Sequence, residues 1–588
     1  ELIKPPPCNL SPYKSDHRPH EDDILQTLSS VDIYNLSFPV HLFSRPIMTS
    51  VPTLTPPPIS QTYSTSTEGS STTGTSTFSR PDSATSPLTS PSTDHSFSGP
   101  DNDIIPTSHP ARTLVLCFDG TGDQFDSDNS NVIQFFSLLK KGDRRQQMVY
   151  YQAGIGTYTV PEVATPMMAK FEKTMDEMIA WNLDAHVMGG YEFLMQNYEA
   201  GDKICLFGFS RGAYTARALA GMIHKVGLLP ACNHQQIPFA YKMFTKADEK
   251  GWKQSTAFKK AFSMDVDIEF IGVWDTVCSV GLIPRRLPFT SSNTAIRTFR
   301  HALSLDEHRA KFKANLYNIP TKRETQLGTQ PGDMPKTGGA HKPKHPKRAS
   351  LVSRAFRRKW RSTYDPALNL KKAEQEFDND SVKNQTDVLE VWFAGCHCDV
   401  GGGSVSNDET RNLARIPLRW MIRQCFLTNT GIRFHSELLK TVGIDPATLH
   451  PVPMPRPLLS HSREISTATG NTLVDAPNED EEDKIDALCP IFDQLKLAYY
   501  WWILEVIPIR HRVQCDDNEW KREWTMNLGA PREIPHHHKP IRVHKSVKMR
   551  MEAQNLPGGP YKPKAEFRHK AGSKHKTEFK EPHVIWVD

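Results

Sequence analysis

Five short runs of consecutive apolar residues, each closed by turn formers, punctuate the middle of the chain: TLVLCFDG (113–120), MVYYQAGIG (148–156), KICLFGFS (203–210), IEFIGVWDT (268–276) and VLEVWFAG (388–395). Runs without polar alternation predict strands covered on both faces. Between them lie stretches whose apolar positions recur every three to four residues, among them KFEKTMDEMIAWNLDAHVMGGYEFLMQNY (170–198), and these predict helices. Strands alternating with helices imply an α/β fold: a mostly parallel sheet with helices on both faces and right-handed crossovers.

The flanks read differently. From about Ser50 to Pro110 the chain is dominated by Ser, Thr and Pro, so ordering it would cost backbone entropy with no core in return. Residues 1–110 are therefore expected to be largely disordered, and 111–454 to form the α/β domain. A basic insertion at about 322–362 should be a loop, and 455–488, ending in NEDEED, a polar and acidic linker. Residues 489–588 are expected to be a helical, basic extension packing on or near the domain.

Composition narrows the function classes. The 588 residues include 45 prolines and carry a formal net charge of only +5, so no nucleic-acid partner is predicted. Basic residues gather at 336–361 and after His536, where they stay solvated or touch a membrane surface. The ten cysteines are scattered, and Cys117, Cys205, Cys278 and Cys396 sit in or beside apolar runs, which suits free thiols in a reducing, cytoplasmic setting. Cys396-His397-Cys398 has no second pair at zinc spacing, so neither a metal nor another cofactor is expected. The chain starts at Glu1, and its first forty residues show no charged-then-apolar leader. The aromatic run Leu495–Ile509 is broken by Lys496, Glu505 and Pro508 and is too short to span a bilayer.

The sharpest chemical signal is Gly208-Phe209-Ser210-Arg211-Gly212, a G-x-S-x-G pattern. It directly follows the strand-like KICLFGF and opens the helix-like AYTARALAGMIHKVG, the strand-turn-helix setting in which an α/β-hydrolase-like fold presents a nucleophilic serine. A serine hydroxyl needs a base to take its proton and a third group to orient that base. Asp275, closing IEFIGVWDT, is the candidate acid, and His397, in FAGCHCDVGGG after the next strand, the candidate base. His301, in a segment read as helical (HALSLDEHRAKF), is the rival base, and Asp399 an alternative acid or a support. The backbone N–H of Arg211 and that of Gly120 or Thr121 would bind an oxyanion, with Asp119 positioning the latter loop. The plainer alternatives are a Ser that caps a helix in a Gly-rich turn and an Asp that caps a loop.

Together, FDGTGD (118–123), GFSRGAYTARALAG (208–221), VWDTVCSVG (273–281), HALSLDEHR (301–309) and WFAGCHCDVGGG (392–403) resemble an α/β-hydrolase family that includes the phospholipase effectors of bacterial type VI secretion. The resemblance covers about 111–425, continues weakly through VHKSVKMRM (543–551), and has the long spacers of fungal members. It implies phospholipid-ester hydrolysis with Ser210, Asp275 and His397 at the matching positions, a lipid or other ester as substrate, and no cofactor. The Ser/Thr tract, the basic insertion and the cysteines flanking His397 depart from compact secreted members.

Other classes remain. CFDGTGD is superficially similar to a phosphatase DxDGT turn, but Cys117 stands where that nucleophilic Asp belongs. A catalytically inactive scaffold of the same fold is the main alternative. LKLAYYWWILEVIPIRHR (495–512), aromatic beside basic, is either a core helix packed on the sheet, the favoured reading, or a peripheral membrane contact.

Overall fold

A computed structural model describes residues 103–155, 168–277, 287–318, 327–329, 333–335, 386–456, 478–514, 520–534, 540–554, 556, 558–568 and 579–588. They all belong to a unit spanning His95–Asp588. The Ser/Thr/Pro tract up to residue 102, most of the basic insertion, Cys278 and residues 535–539 lie outside the described residues.

The core is an eight-stranded parallel sheet: β1 (Thr113–Phe118), β2 (Gln147–Gln152), β3 (Lys203–Phe209), β4 (Ile268–Trp274), β5 (Ile296–Ser304), β6 (Asp387–Phe393), β7 (Ile541–His544) and β8 (Val584–Val587). Its spatial order is β8-β7-β6-β5-β4-β3-β1-β2. The chain runs outward from β1 to β2 and returns to β3 on the other side of β1, so a topological switch point falls between β1 and β3. At such a point the loops from two carboxyl ends diverge and leave a crevice.

Both faces of the central strands are buried, which is why they read as unbroken apolar runs. Leu114, Leu116 and Phe118 pack into one layer with helices Met168–Asn197 and Ser210–Val226, where Val187, Tyr191 and Leu194 recur at helical spacing. Val115 and Cys117 face the opposite layer, with Phe135 of helix Asn131–Ser137 and Trp420 of helix Arg415–Leu427.

Four segments differ from the sequence expectation. HALS belongs to β5 rather than to a helix; nine residues long and inserted between β4 and β6, it hides His301 completely. NEDEE, expected in a linker, instead caps and begins helix Glu479–Asp486. Asn478 caps its N-terminus, four carboxylates favour the first turn's dipole, and Asp483 and Asp486 ligate the buried Arg419 at 2.6 and 2.7 Å. Ile104 and Ile105, placed in the disordered region, are buried and pair antiparallel with Phe434–His435. The aromatic run at 495–509 is not one core helix: it breaks into the short pieces Gln494–Leu497, Tyr499–Trp501 and Trp502–Glu505.

β7 and β8 were not anticipated either. Val543 pairs with Trp392 of β6, and β8 pairs with β7, so the last fifty residues complete the central sheet. Their third apolar cluster joins Val543, Val547 and Val584 to Leu303 and Trp392.

Candidate active site

The turn after β3 is tight for identifiable reasons. A Cβ on Gly208 would lie 2.6 Å from the Gly212 carbonyl oxygen, and one on Gly212 would lie 2.2 Å from that of Asp119. Only glycine at both places lets helix Ser210–Val226 leave the strand at this angle. Ser210 takes the strain, with φ of 58° in the left-handed region that residues with a Cβ rarely occupy. Asp275, at the end of β4, is held in the same region with φ of 39°.

His397 opens the short helix His397–Gly401 after β6. Asp399 fixes that helix by accepting the N–H groups of Cys396 at 2.8 Å and Phe492 at 3.0 Å. Burial pushes the Asp399 carboxyl up to about 7, and its hydrogen bonds go to these N–H groups, while the carboxylate on the His397 imidazole is that of Asp275. Phe209 lies against the His397 ring with centroids 4.6 Å apart, and Phe312 meets it edge-on at 4.8 Å.

Ser210, His397 and Asp275 form one hydrogen-bonded line. Ser210 Oγ is 2.8 Å from His397 Nε2, and His397 Nδ1 is 2.6 Å from Asp275 Oδ2. All three are buried, at 5%, 3% and 0% exposure. Burial works against charge on either partner. It holds the His397 imidazole below the ordinary histidine value, although the Asp275 hydrogen bond pulls the other way. Burial also opposes ionisation of Asp275, but the Arg532 guanidinium and the His397 bond outweigh it and hold the carboxyl well below the usual carboxylate range. Both shifts favour a neutral imidazole between a hydroxyl and a carboxylate.

His301 does not join this line. Its Nε2 accepts the N–H of Thr276 at 3.0 Å and its Nδ1 lies 2.9 Å from Glu390, so both ring nitrogens are engaged in shaping the backbone just after Asp275.

The loop after β1 comes alongside the turn. Asp119 accepts Ser130 Oγ at 2.6 Å, Tyr151 Oη at 2.8 Å and the Gly120 N–H at 2.8 Å. Of the two loop N–H groups expected to bind an oxyanion, that of Gly120 is thus donated to Asp119. The N–H groups of Gly122 and Asp123 are used within the loop, by Ile155 and Gly120. Among the described residues, the N–H groups of Thr121 and Arg211 meet no protein acceptor, and the buried Thr121 hydroxyl is also unpartnered. The Arg211 side chain lies in the field of Asp123; burial pushes the guanidinium down to about 10 and the Asp123 carboxyl up to about 8.

Other residues near the site were given no role by the sequence: Glu307 and Arg309 lie in the HALSLDEHR motif and Trp501 in the aromatic run, whereas Arg532 had no signal at all. Arg532 places Nη1 2.6 Å from Asp275 Oδ1 and Nη2 2.8 Å from Oδ2. Glu307 accepts the backbone N–H of His397 at 3.3 Å and grips Arg309, whose guanidinium lies 3.5 Å above the Phe312 ring. Trp501 closes the stack, 5.4 Å from Phe312. A need for a cation beside a buried Asp was foreseeable, but 71 Lys and Arg residues gave no way to choose it.

A parallel doubly wound sheet with a strained serine turn after a central strand, aligned with a buried His and Asp, defines an α/β-hydrolase-like protein. More narrowly, the chain belongs to the family described as T6SS, phospholipase effector Tle1-like, catalytic domain, which matches residues 112–424. Membership implies a hydrolase of lipase or phospholipase type. The chain is similar to the uncharacterized protein YEL023C of Saccharomyces cerevisiae, 29% identical over 561 residues, covering 77% of this chain and 81% of that protein. It is also similar to two solved structures, each 17% identical. An uncharacterized protein from Pseudomonas aeruginosa has a TM-score of 0.28, with 56% of this chain and 47% of that one covered. The Tle1 effector bound to the VgrG spike from the type 6 secretion system has a TM-score of 0.21, with 37% and 50% covered. The chain therefore spans about half the length of the solved structures it matches.

Proposed function

We propose that this protein is a serine hydrolase that cleaves carboxylic esters of lipids, with Ser210 as nucleophile, His397 as general base and Asp275 as the acid that orients it. The observation that carries the reading is the 2.8 Å and 2.6 Å line from hydroxyl to imidazole to carboxylate, beneath a left-handed serine turn. His397 Nε2 takes the Ser210 proton as Oγ attacks the ester carbonyl, and the N–H groups of Arg211 and Thr121 receive the oxyanion. The tetrahedral intermediate collapses to an acyl-serine, expelling the alcohol with the proton from His397. Water, deprotonated by His397, then attacks the acyl-serine and releases the fatty acid.

Lipid as substrate class is supported by the family's description and by the surface next to the site. Tyr499, Tyr500, Ile503 and Val506 are 79%, 66%, 54% and 53% exposed, while Trp501 in the same segment reaches His397 through Phe312. An exposed aromatic and aliphatic strip joined to the catalytic base suits peripheral contact with a lipid surface. Among the described residues no helix is long and apolar enough to cross a membrane.

The test is hydrolysis of a phospholipid and acylglycerol panel by the purified chain, with Ser210→Ala as control. Fatty-acid release that the substitution abolishes supports the proposal. Equal release by wild type and variant removes Ser210 as nucleophile, and none from either with any ester leaves a fold used as a scaffold.

A further inference from the structure

The Asp275 carboxylate is buried completely, and its four nearest donors come from three different segments. Oδ1 accepts the Ser304 N–H at 3.0 Å and Arg532 Nη1 at 2.6 Å; Oδ2 accepts His397 Nδ1 at 2.6 Å and Arg532 Nη2 at 2.8 Å. Arg532 is 2% exposed and spends its other donors on fixed acceptors. Nη1 also meets the Ser304 carbonyl at 3.1 Å and its hydroxyl at 2.9 Å, and Nε meets the Phe312 carbonyl at 3.1 Å. A planar fork held on one side by backbone and on the other by both carboxylate oxygens leaves Asp275 a single rotamer. Without a cation, an isolated carboxylate at this depth would be strongly disfavoured.

We infer that Arg532 is a positioning residue of the reaction, clamping the Asp275 carboxylate in register with His397 and sharing its charge. The inference rests on the serine-hydrolase reading above and adds a fourth member, 257 residues from Asp275 in the chain.

Charge sharing has a signed consequence. When His397 is protonated, the imidazolium gains from the negative charge on Asp275, but Arg532 has already compensated much of that charge. Removing the guanidinium leaves the pair more willing to take a proton, so the acid limb of activity moves to higher pH. Among the described residues, the other groups facing these two are paired or neutral. Glu307 and Arg309 face His397 as an ion pair at 2.8 Å, and His301 beside Thr276 is bound to Glu390 at 2.9 Å. Cys396 and Cys398, on the helix that carries His397, are kept as thiols by burial.

The experiment measures the rate of fluorophosphonate labelling against pH for the full chain, Arg532→Met and Arg532→Lys, with melting curves for each. In Arg532→Met the acid limb should rise by about one pH unit and the plateau rate fall by about 10- to 100-fold. Arg532→Lys, keeping the charge without the fork, should hold the limb near the wild-type position at a reduced plateau. A folded Arg532→Met with the wild-type limb overturns the inference and reduces Arg532 to a tether for the C-terminal segment. If Arg532→Met does not fold, Arg532→Lys decides: wild-type plateau and limb together overturn the clamp. A wild-type chain that labels at no pH brings down the hydrolase reading itself, a result separable from either.

Discussion

On the proposed reading, the hydrogen-bonded line of Ser210, His397 and Asp275 works as one unit, so losses at these positions should not add. Ser210→Ala and His397→Gln should each reduce ester turnover by about 10³-fold or more, and the double variant by no more than the worse single one. Steady-state kinetics on a soluble ester checks this, and additive losses would contradict a shared line. Arg211→Ala should cost tenfold or less if, as proposed, only its backbone N–H receives the oxyanion; an inactive but folded variant would assign its guanidinium to substrate. Because burial holds His397 below the ordinary histidine value, kcat/KM should stay flat as pH falls through about 6.5 and decline only below it. A profile already falling at neutral pH would contradict that environment. Among single residues, the line of Ser210, Asp275 and His397 was legible because Ser210 and Asp275 close apolar runs and His397 follows one by a short loop at the carboxyl edge. Thr121 against Gly120 was not, since a choice between neighbouring N–H groups depends on where the Asp119 carboxylate points.

At the level of elements, β1, β3 and β4 could be read directly, because they are buried almost throughout on both faces and carry few polar residues; β6 could be read from its buried VWF end despite Glu390. β5 was missed because Arg297, Arg300 and His301 interrupt its apolar run. Arg300 meets Gln424 at 2.9 Å and Asp387 at 2.6 Å, partners distant in sequence, so no local rule could reveal them. The acidic helix failed for the same reason: Asp483, fully buried, is matched by Arg419 at 2.6 Å and by Arg456. Asp483→Asn should leave two arginines short of a counter-charge and destabilise the fold by about 3–5 kcal/mol, read as a lowered midpoint in denaturant. A change below about 0.5 kcal/mol would mean the network is already solvated.

For the whole molecule, the C-terminal segment is the part whose importance was least visible in the chain. Read as an extension, it supplies β7 and β8 to the sheet and Arg532 to Asp275. We propose that the catalytic unit runs from about residue 103 to at least residue 588, and that a chain ending at 488 is insoluble or unlabelled even though it contains Ser210, Asp275 and His397. Recovery of active protein from that truncation would show that the sheet closes without its last two strands. The exposed strip at 499–506 belongs to this scale as well. Tyr499→Ser with Ile503→Ser should lower co-sedimentation with phosphatidylcholine vesicles several-fold while leaving turnover of a soluble ester unchanged. Unchanged sedimentation removes the membrane contact and keeps the chemistry. The central claim is tested most directly by mass spectrometry of the chain after fluorophosphonate treatment. The account predicts a single adduct on the peptide containing Ser210, lost in both Ser210→Ala and His397→Gln; an adduct at another residue, or none on folded protein, would contradict it.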